Sequence, residues 1–174
     1  MKRLATTLVA VVAFSIGGSI PSAAAGGGAT SDTFPVSFTV TSQTCGYLPA
    51  NTTVTGSGME TSITVVRTDA SGATTITNST HATGTATDGH NTYVWNYSNA
   101  FRVTNTPAHP DTFSGSMSDS FSLAGNGPAR LHNGFVADLT TNGSFTYISW
   151  SVHASRGDPI SFATGPVVSH CDPL

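Results

Sequence analysis

Three groups of side chains in this sequence have the chemistry to bind a metal ion or to transfer a proton. The first lies in HATGTATDGHNTYVWNYSNAF, from His81 to Phe101, which combines two histidines with a run of aromatic residues. The second is the pair His132 and His153, and the third is Asp119. Imidazole nitrogens bind zinc and copper, whereas a carboxylate can act as a general acid or base.

The two histidines of the first stretch lie on a predicted β-hairpin. Asp88-Gly89 favours a two-residue turn, which pairs Thr87 with His90. In that register His81 and His90 lie on the face opposite the aromatic rings, roughly 20 Å apart along the hairpin. This separation excludes a metal ion shared by the two histidines.

The other face of this hairpin carries large aromatic rings opposite small residues. Gly84 faces Tyr93 and Ala82 faces Trp95 in the predicted register. Such a surface either packs a core or lines a cavity for a small apolar ligand. The candidate cavity residues are Tyr93, Trp95, Tyr97, Phe135 and Trp150.

A second predicted hairpin brings the other two histidines together. A two-residue turn at Asn142-Gly143 places His132 directly opposite His153, with Cβ atoms about 5 Å apart. Two imidazoles can hold one zinc or copper ion, but a protein site normally has a third ligand, and Asp138 is six residues from His132. We therefore favour a pair of exposed histidines and predict no cofactor.

Asp119 shares the predicted inward face of its strand with Met117 and Phe121. A buried carboxylate needs a charged or hydrogen-bonding partner, or its pKa rises. Arg67 or Arg102 could supply that partner in a structural ion pair, and a local bulge could instead turn Asp119 outward. The functional interpretation is a general acid or base inside a barrel cavity.

The elements that would position these residues are β-strands. TFPVSFTVTSQTC and DTFSGSMSDSFSL alternate apolar with polar residues, and no stretch has a sustained helical period. Turn signals separate the strands at Ser71-Gly72, Asp88-Gly89, 125–128 and Asn142-Gly143. We predict an all-β fold, a single antiparallel meander β-barrel of about eight or nine strands, with a β-sandwich as the alternative. Strands without lysine favour a closed sheet, because open edges are often guarded by lysine.

The N-terminal residues predict export. Lys2-Arg3 precedes an apolar run from Leu4 to Ile16, and small residues lead to a cleavage site after Ala25. We assign residues 1–25 to a signal peptide, 26–33 to a flexible leader and 34–174 to one β-barrel domain. No later stretch is apolar enough for membrane insertion, so we expect a secreted protein.

The charge of the mature chain limits its possible partners, and its cysteines indicate where it folds. The mature chain keeps four arginines and no lysine beside nine carboxylates, which disfavours nucleic acid and anionic membranes as partners. Cys45 and Cys171 predict one disulfide, formed outside the reducing cytosol. That disulfide would place the C-terminus beside the end of the first strand. The oligomeric state is left open.

Several motifs carry a resemblance to known proteins. A signal peptide, a first strand ending in Cys45, GTATDGHNTYVWNYSNAF, FSLAGNGPARLHNGFVADLT and the terminal CDPL resemble a group of small exported β-rich proteins of actinobacteria. These are turn and strand motifs, so the resemblance implies no site residues. The meander is also similar to calycin-like and allene-oxide-cyclase-like barrels, as a fold analogy.

Three functions are consistent with these features. The leading hypothesis is a non-catalytic exported module that binds a small apolar ligand, or presents a surface rich in serine and threonine to a glycan or another partner. The second is an enzyme of the cyclase or isomerase type that uses Asp119. The third is a structural protein of the cell surface.

Overall fold

Seven long β-strands make up the part of the chain that the computed structural model describes, residues 27–43, 45–144 and 146–156. They are β1 (Gly28–Thr41), β2 (Thr53–Thr68), β3 (Thr74–Thr87), β4 (Thr92–Thr106), β5 (His109–Gly125), β6 (Leu131–Asn142) and β7 (Tyr147–Arg156). Each strand pairs antiparallel with the next, so the order in the sheet is the order in the chain. This confirms the predicted all-β meander. No helix suited to crossing a bilayer occurs among these residues.

The alternation of residue types gives the sheet an inward and an outward face. On β5 the serines at even positions from Ser114 to Ser122 point outward, while Phe113, Met117 and Leu123 are buried on the inward face. Hydroxyl groups of neighbouring strands meet on the outward face, as in the contact of 2.8 Å between Ser98 Oγ and Ser120 Oγ. The outward face is therefore polar, and the inward face carries the core.

The sheet curls strongly toward its inward face. Phe38 on β1 and Phe121 on β5 are four strands apart, which would be about 19 Å in a flat sheet. Their ring centroids lie 5.3 Å apart, and the ring of Trp95 on β4 lies 5.2 Å from that of Phe38. Contacts this close require the two halves of the sheet to face each other.

Two apolar clusters fill the inward face, one at each end of the strands. The first contains Trp95, Tyr93, Phe38, Val54, Leu123, Leu131 and smaller residues that include Cys45. The second contains Val66, Ile76, Val103, Phe113, Met117, Phe135, Ala137 and Leu139. Trp95 is completely buried, and Gly58 leaves room for its indole, because a Cβ atom at Gly58 would lie 2.7 Å from the Trp95 ring.

The described residues do not form the predicted closed barrel of eight or nine strands. β1 and β7 are the two edges of the sheet, and no pairing between them occurs among the seven strands. The residues after Arg156 lie outside the described part of the chain, as does Cys171. The disulfide with Cys45, which is buried in the first cluster, therefore stays a prediction.

The first strand begins earlier than expected. Residues 28–33, assigned from the sequence to a flexible leader, pair with β2 from Val66 to Thr61. Backbone pairing does not require apolar side chains, and the hydroxyls of Thr33 and Thr61 also meet at 3.1 Å. The leader assignment is therefore wrong for this segment.

The β3–β4 hairpin has a longer loop than its Asp-Gly pair predicts. Thr87 pairs with Thr92 rather than with His90, and Gly84 faces Trp95. The cause is Asp88, whose Oδ1 accepts hydrogen bonds from the backbone N–H of His90 at 2.9 Å and of the next residue at 2.7 Å. The register shifts by two residues, so the predicted faces of both strands are preserved.

The β6–β7 hairpin departs further from its predicted register. Asn142 Oδ1 accepts hydrogen bonds from the backbone N–H groups of Ser144 and Thr146, which widens the loop. Two irregularities follow in the pairing of the strands, one of them beside Val136. The wider loop and the other irregularity, between Thr140 and Thr141, pair Leu139 rather than Phe135 with Trp150.

The close approach of β2 and β3 gives a direct test of the core packing. A Cβ atom at Gly84 would lie 2.0 Å from the backbone oxygen of Ser57, so Gly84→Ala should lower the free energy of unfolding by about 2 kcal/mol. Gly28→Ala is the control, since nothing lies within 4 Å of its added Cβ. Urea unfolding followed by tryptophan fluorescence should separate the two variants. Equal midpoints would contradict the described packing.

Candidate functional site

Polar side chains interrupt the inward face between the two apolar clusters. They come from β2 to β6, and most of them are buried despite their polarity. We call these residues the polar band: Glu60, Ser62, Thr64, Asn78, Thr80, Tyr97, Asn99, Asp119 and Asn133.

Strand pairing arranges most of the polar band in two neighbouring rows across the sheet. The first row consists of Glu60, Ala82, Tyr97, Phe121 and Asn133. The second row consists of Ser62, Thr80, Asn99 and Asp119. The first row therefore places two aromatic rings between a carboxylate and an amide.

The part of the polar band on β2 and β3 is internally hydrogen-bonded. Asn78 Nδ2 donates to the hydroxyls of Ser62 and Thr64, both at 2.9 Å. The Thr80 hydroxyl donates to Asn78 Oδ1 at 3.0 Å. These groups supply one another's hydrogen bonds, so their role is to hold β2 and β3 in register within the core.

Asp119 lies where the sequence predicts, on the inward face and 4% exposed. Its Oδ2 accepts hydrogen bonds from the Tyr97 hydroxyl at 2.7 Å and from Asn99 Nδ2 at 2.9 Å. The expected ion pair does not form among the described residues, because Arg67 and Arg102 lie exposed on the outward face. Neutral donors on the neighbouring strand hold this carboxylate instead.

Two other atoms of the polar band are buried acceptors without a described donor. Glu60 is 7% exposed and Asn133 is 4% exposed. Neither Glu60 Oε2 nor Asn133 Oδ1 accepts a hydrogen bond from any residue that the structure describes. A buried acceptor without a donor costs about 1–3 kcal/mol, and such atoms are rare in native proteins. These two oxygens therefore indicate where a donor would be accommodated.

Burial and charge change the protonation equilibria of the polar band. Burial raises the pKa of Glu60, because the low-dielectric interior disfavours its charged form. Burial also raises the pKa of Tyr97, and the negative charge of Asp119, the hydrogen bond to Asp119 and the charge of Glu60 raise it further. Tyr97 therefore remains a neutral hydrogen-bond donor through the physiological range.

Two of the five predicted cavity residues are packed inside the first apolar cluster. Tyr93 and Trp95 are 1% and 0% exposed. The Tyr93 hydroxyl donates to Asp88 Oδ2 at 2.6 Å, and Trp95 Nε1 donates to the backbone oxygens of Ser57 and Thr85, both at 3.2 Å. Protein atoms surround both rings, so neither has an open face toward a ligand.

The other three predicted cavity residues are dispersed. Phe135 is buried in the second apolar cluster, and Tyr97 belongs to the polar band. The side chain of Trp150 lies outside what the structure describes. The structure thus brings Tyr97 to the band with Asp119 and assigns Tyr93, Trp95 and Phe135 to the core.

The predicted neighbours His132 and His153 are not brought together. Pairing of β6 with β7 reaches Gly134 opposite Arg156, and His153 lies at the irregularity beside Val136. His153 Nε2 instead contacts Asp138 Oδ2 at 2.7 Å, with both side chains exposed. Nowhere in the described chain do three or more metal-binding side chains of the His, Cys, Asp and Glu types come together. The cross-strand histidine pair is therefore wrong.

An open groove of about 630 Å³ crosses the outward face over β4 to β7. It is lined by Arg102, Thr104, Ser114, Gly115, Ser116, Asp138, Leu139, Thr140, Ser149 and Ser151. The hydroxyls of Thr140 and Ser114 already bond to each other at 3.2 Å. Hydroxyl and charged side chains contribute much of the lining, but the groove is open to solvent, so water competes for every hydrogen bond there.

Comparison with protein-family models, with curated proteins and with solved structures found no match to this chain. The geometry of the polar band is therefore the basis for assigning a function.

Sequence reasoning found Asp119 but missed Glu60, Asn99 and Asn133. The alternation of side chains along β2 does indicate that Glu60 is buried, because Glu60 falls on the same face of the strand as the buried Val54 and Val66. The signal is weak in the sequence alone, since the register of β2 cannot be assigned until its neighbours are known.

The hydrogen bond between Tyr97 and Asp119 predicts a loss of stability at alkaline pH. Because the folded protein raises the pKa of Tyr97, the stabilisation is complete below the ordinary tyrosine pKa of about 10 and is lost as pH rises above it. Tyr97→Phe should lower stability at pH 7 by about 1–2 kcal/mol, because Asp119 loses a donor, and should weaken the alkaline loss.

Chemical denaturation between pH 7 and pH 12 measures both effects. Tyr47→Phe is the control, because Tyr47 is 43% exposed and lies outside the polar band. Its pH profile should match that of the wild type. The hydrogen bond would be unsupported if Tyr97→Phe and Tyr47→Phe gave the same profile.

Proposed function

We propose that this protein is an exported binding module that holds a small polar ligand at the polar band. One observation carries the proposal: Glu60 Oε2 and Asn133 Oδ1 are buried acceptors to which no described residue donates a hydrogen bond. A ligand that donates hydrogen bonds would recover the cost of burying both oxygens. The two apolar clusters on either side would exclude water and strengthen those bonds.

The proposal changes the ligand expected from the sequence. An apolar ligand requires exposed rings, whereas Tyr93 and Trp95 are buried against other core residues. The polar band instead offers oxygen acceptors next to the partly buried rings of Tyr97 and Phe121. These features favour a ligand that has hydrogen-bond donors and a small apolar part.

Export and closure of the sheet belong to the same proposal. The charged start, the apolar run and the cleavage site after Ala25 support secretion, as does the resemblance to exported actinobacterial proteins. A disulfide between Cys45 and Cys171 would bring the C-terminus to the end of β1 and complete a barrel-like wall around the polar band.

A second candidate function is acid–base catalysis of the cyclase or isomerase type. Asp119 favours it, since the carboxylate is buried and hydrogen-bonded to the Tyr97 hydroxyl at 2.7 Å. In that case Asp119 would exchange a proton with a substrate at the polar band. Asp119→Asn would then abolish turnover of the bound molecule while leaving its binding in place.

If the protein is exported, its mature chain should have a defined N-terminus and one disulfide. Secreted protein should begin at Gly26, because signal peptidase cleaves after small residues such as Ala25. Intact mass spectrometry should also show that the protein gains two hydrogen atoms on reduction, as one disulfide requires. An intact N-terminus on secreted protein, or an unchanged mass on reduction, would contradict this part of the proposal.

Binding at the polar band can be tested on protein purified gently from the medium of an exporting host. Native mass spectrometry should detect a small molecule that is released on denaturation. Asn133→Leu should lower its occupancy, because the variant removes one acceptor while keeping similar volume. Ser120→Ala, on the outward face, should retain wild-type occupancy. The proposal would be contradicted if the wild-type spectrum showed only the mass of the polypeptide, or if both variants had equal ligand occupancy.

A further inference from the structure

The outward groove over β4 to β7 brings two rows of polar side chains to one space. The first row pairs in turn across the four strands and consists of Arg102, Ser116, Asp138 and Ser151. The second row pairs in the same way and consists of Thr104, Ser114, Thr140 and Ser149. Both rows line the same groove of about 630 Å³. One molecule lying in it can therefore contact side chains of both rows.

The spacing of the strands sets the shape of the occupant. Neighbouring strands lie about 4.8 Å apart and alternate residues of one strand about 6.6 Å apart, so the two rows cover roughly 14 Å by 7 Å. The volume of the groove falls within the range of small-molecule sites, about 300–1,000 Å³. An elongated molecule fits this groove better than a compact one.

The formal charges of the groove cancel. Among the described lining residues only Arg102 and Asp138 are charged. The one described ion pair beside the groove joins Asp138 Oδ2 to His153 Nε2 at 2.7 Å, which leaves the guanidinium of Arg102 open to an occupant. A chain of like charges would meet repulsion from one of these groups wherever it met attraction from the other. The lining therefore favours a neutral occupant.

The backbone beneath the groove is already paired. β4, β5 and β6 are interior strands, so their backbone N–H and C=O groups bond to neighbours on both sides. An extended peptide adds to a sheet through unpaired backbone groups at an edge, and over these interior strands it gains no such bonds. Recognition is thus left to the side chains, and six of the eight in the two rows are hydroxyls.

Hydroxyl chemistry points to a polyhydroxylated occupant. Each serine or threonine hydroxyl both donates and accepts hydrogen bonds, as the hydroxyls of a sugar do. The Arg102 guanidinium can donate to two neighbouring sugar oxygens, and the Asp138 carboxylate can accept from two neighbouring sugar hydroxyls. Because the groove is open to solvent, each of these bonds replaces a bond to water. Affinity therefore depends on many contacts along both rows.

We propose that the outward groove binds a neutral oligosaccharide, which lies across β4 to β7 with Arg102 and Asp138 bonded to its hydroxyl groups. These two side chains are separated by two strand spacings, about 10 Å, so linked sugar rings reach both where a single ring does not. The groove lies on the face opposite the polar band. It is a second site, independent of the proposed small-molecule site.

Nuclear magnetic resonance titration of the isotope-labelled mature protein tests the proposal with four neutral probes: cellotetraose, maltotetraose, mannotetraose and N-acetylchitotetraose. At least one should bind and shift backbone amide signals of β4 to β7 around Ser116 and Thr140. Its monosaccharide should bind at least about tenfold more weakly, because it loses one or two hydrogen bonds. No binding by any of the four, shifts confined to another surface, or equal affinity for the monosaccharide would overturn the proposal.

Two matched pairs of variants locate the site. Ser116→Leu fills the middle of the groove, whereas Ser120→Leu makes the same change about 13 Å away on the outward face of β5. Arg102→Ala removes the cation of the groove, whereas Arg67→Ala removes an exposed arginine of β2 outside it. Circular dichroism checks that each variant folds.

The first variant of each pair should weaken binding at least about fivefold, which corresponds to the loss of one hydrogen bond. The second should bind as tightly as the wild type. Equal affinity within both pairs would overturn the assignment to the groove. Asn133→Leu, in the polar band, should also leave oligosaccharide binding unchanged. Loss of binding in a folded Asn133→Leu variant would move the oligosaccharide to the inward face and overturn the inference.

Discussion

The curl of one sheet onto its own inward face is the constraint on which the rest of this structure depends. A single sheet buries one face only if another layer covers it or if the sheet bends over itself. The described chain has no helical layer, and Phe38 meets Phe121 across four strand spacings with ring centroids 5.3 Å apart. The ring of Trp95 lies against both phenylalanines. Gly84 lets β2 and β3 approach closely, and Gly58 leaves room for the indole.

The same curl buries polar residues in the middle of the strands, where their hydrogen bonds affect stability and binding. On an open sheet Glu60, Asn133 and Asp119 would be hydrated, and their positions would matter little. Inside the curl they lie between two apolar clusters, where each unmet hydrogen bond is costly. Asp119 has Tyr97 and Asn99 as donors, whereas Glu60 and Asn133 each keep one oxygen for which no described residue supplies a donor. The inward face is thus both the core and the candidate ligand site.

Residue alternation was sufficient to predict the all-β meander and the inward position of Asp119. It failed on register, because the side chains of Asp88 and Asn142 accept backbone hydrogen bonds and lengthen loops that their Asp-Gly and Asn-Gly pairs would otherwise make short. The register of the β3–β4 hairpin shifts by two residues, so each side chain stays on its predicted face of the sheet. The irregular pairing of the second separated His132 from His153. Glu60 and Asn133 could not be selected from the sequence, because their importance arises only when the curl removes water from around them.

We infer that Glu60 Oε2 and Asn133 Oδ1 receive hydrogen bonds from a bound small molecule. A high-resolution crystal structure of the mature protein, purified gently from an exporting host so that any ligand is retained, would show whether this is so. We expect electron density of a non-protein, non-water group within about 3 Å of both oxygens. Ordered water alone at both positions, or donors from the protein's own C-terminal residues, would show that no ligand binds there.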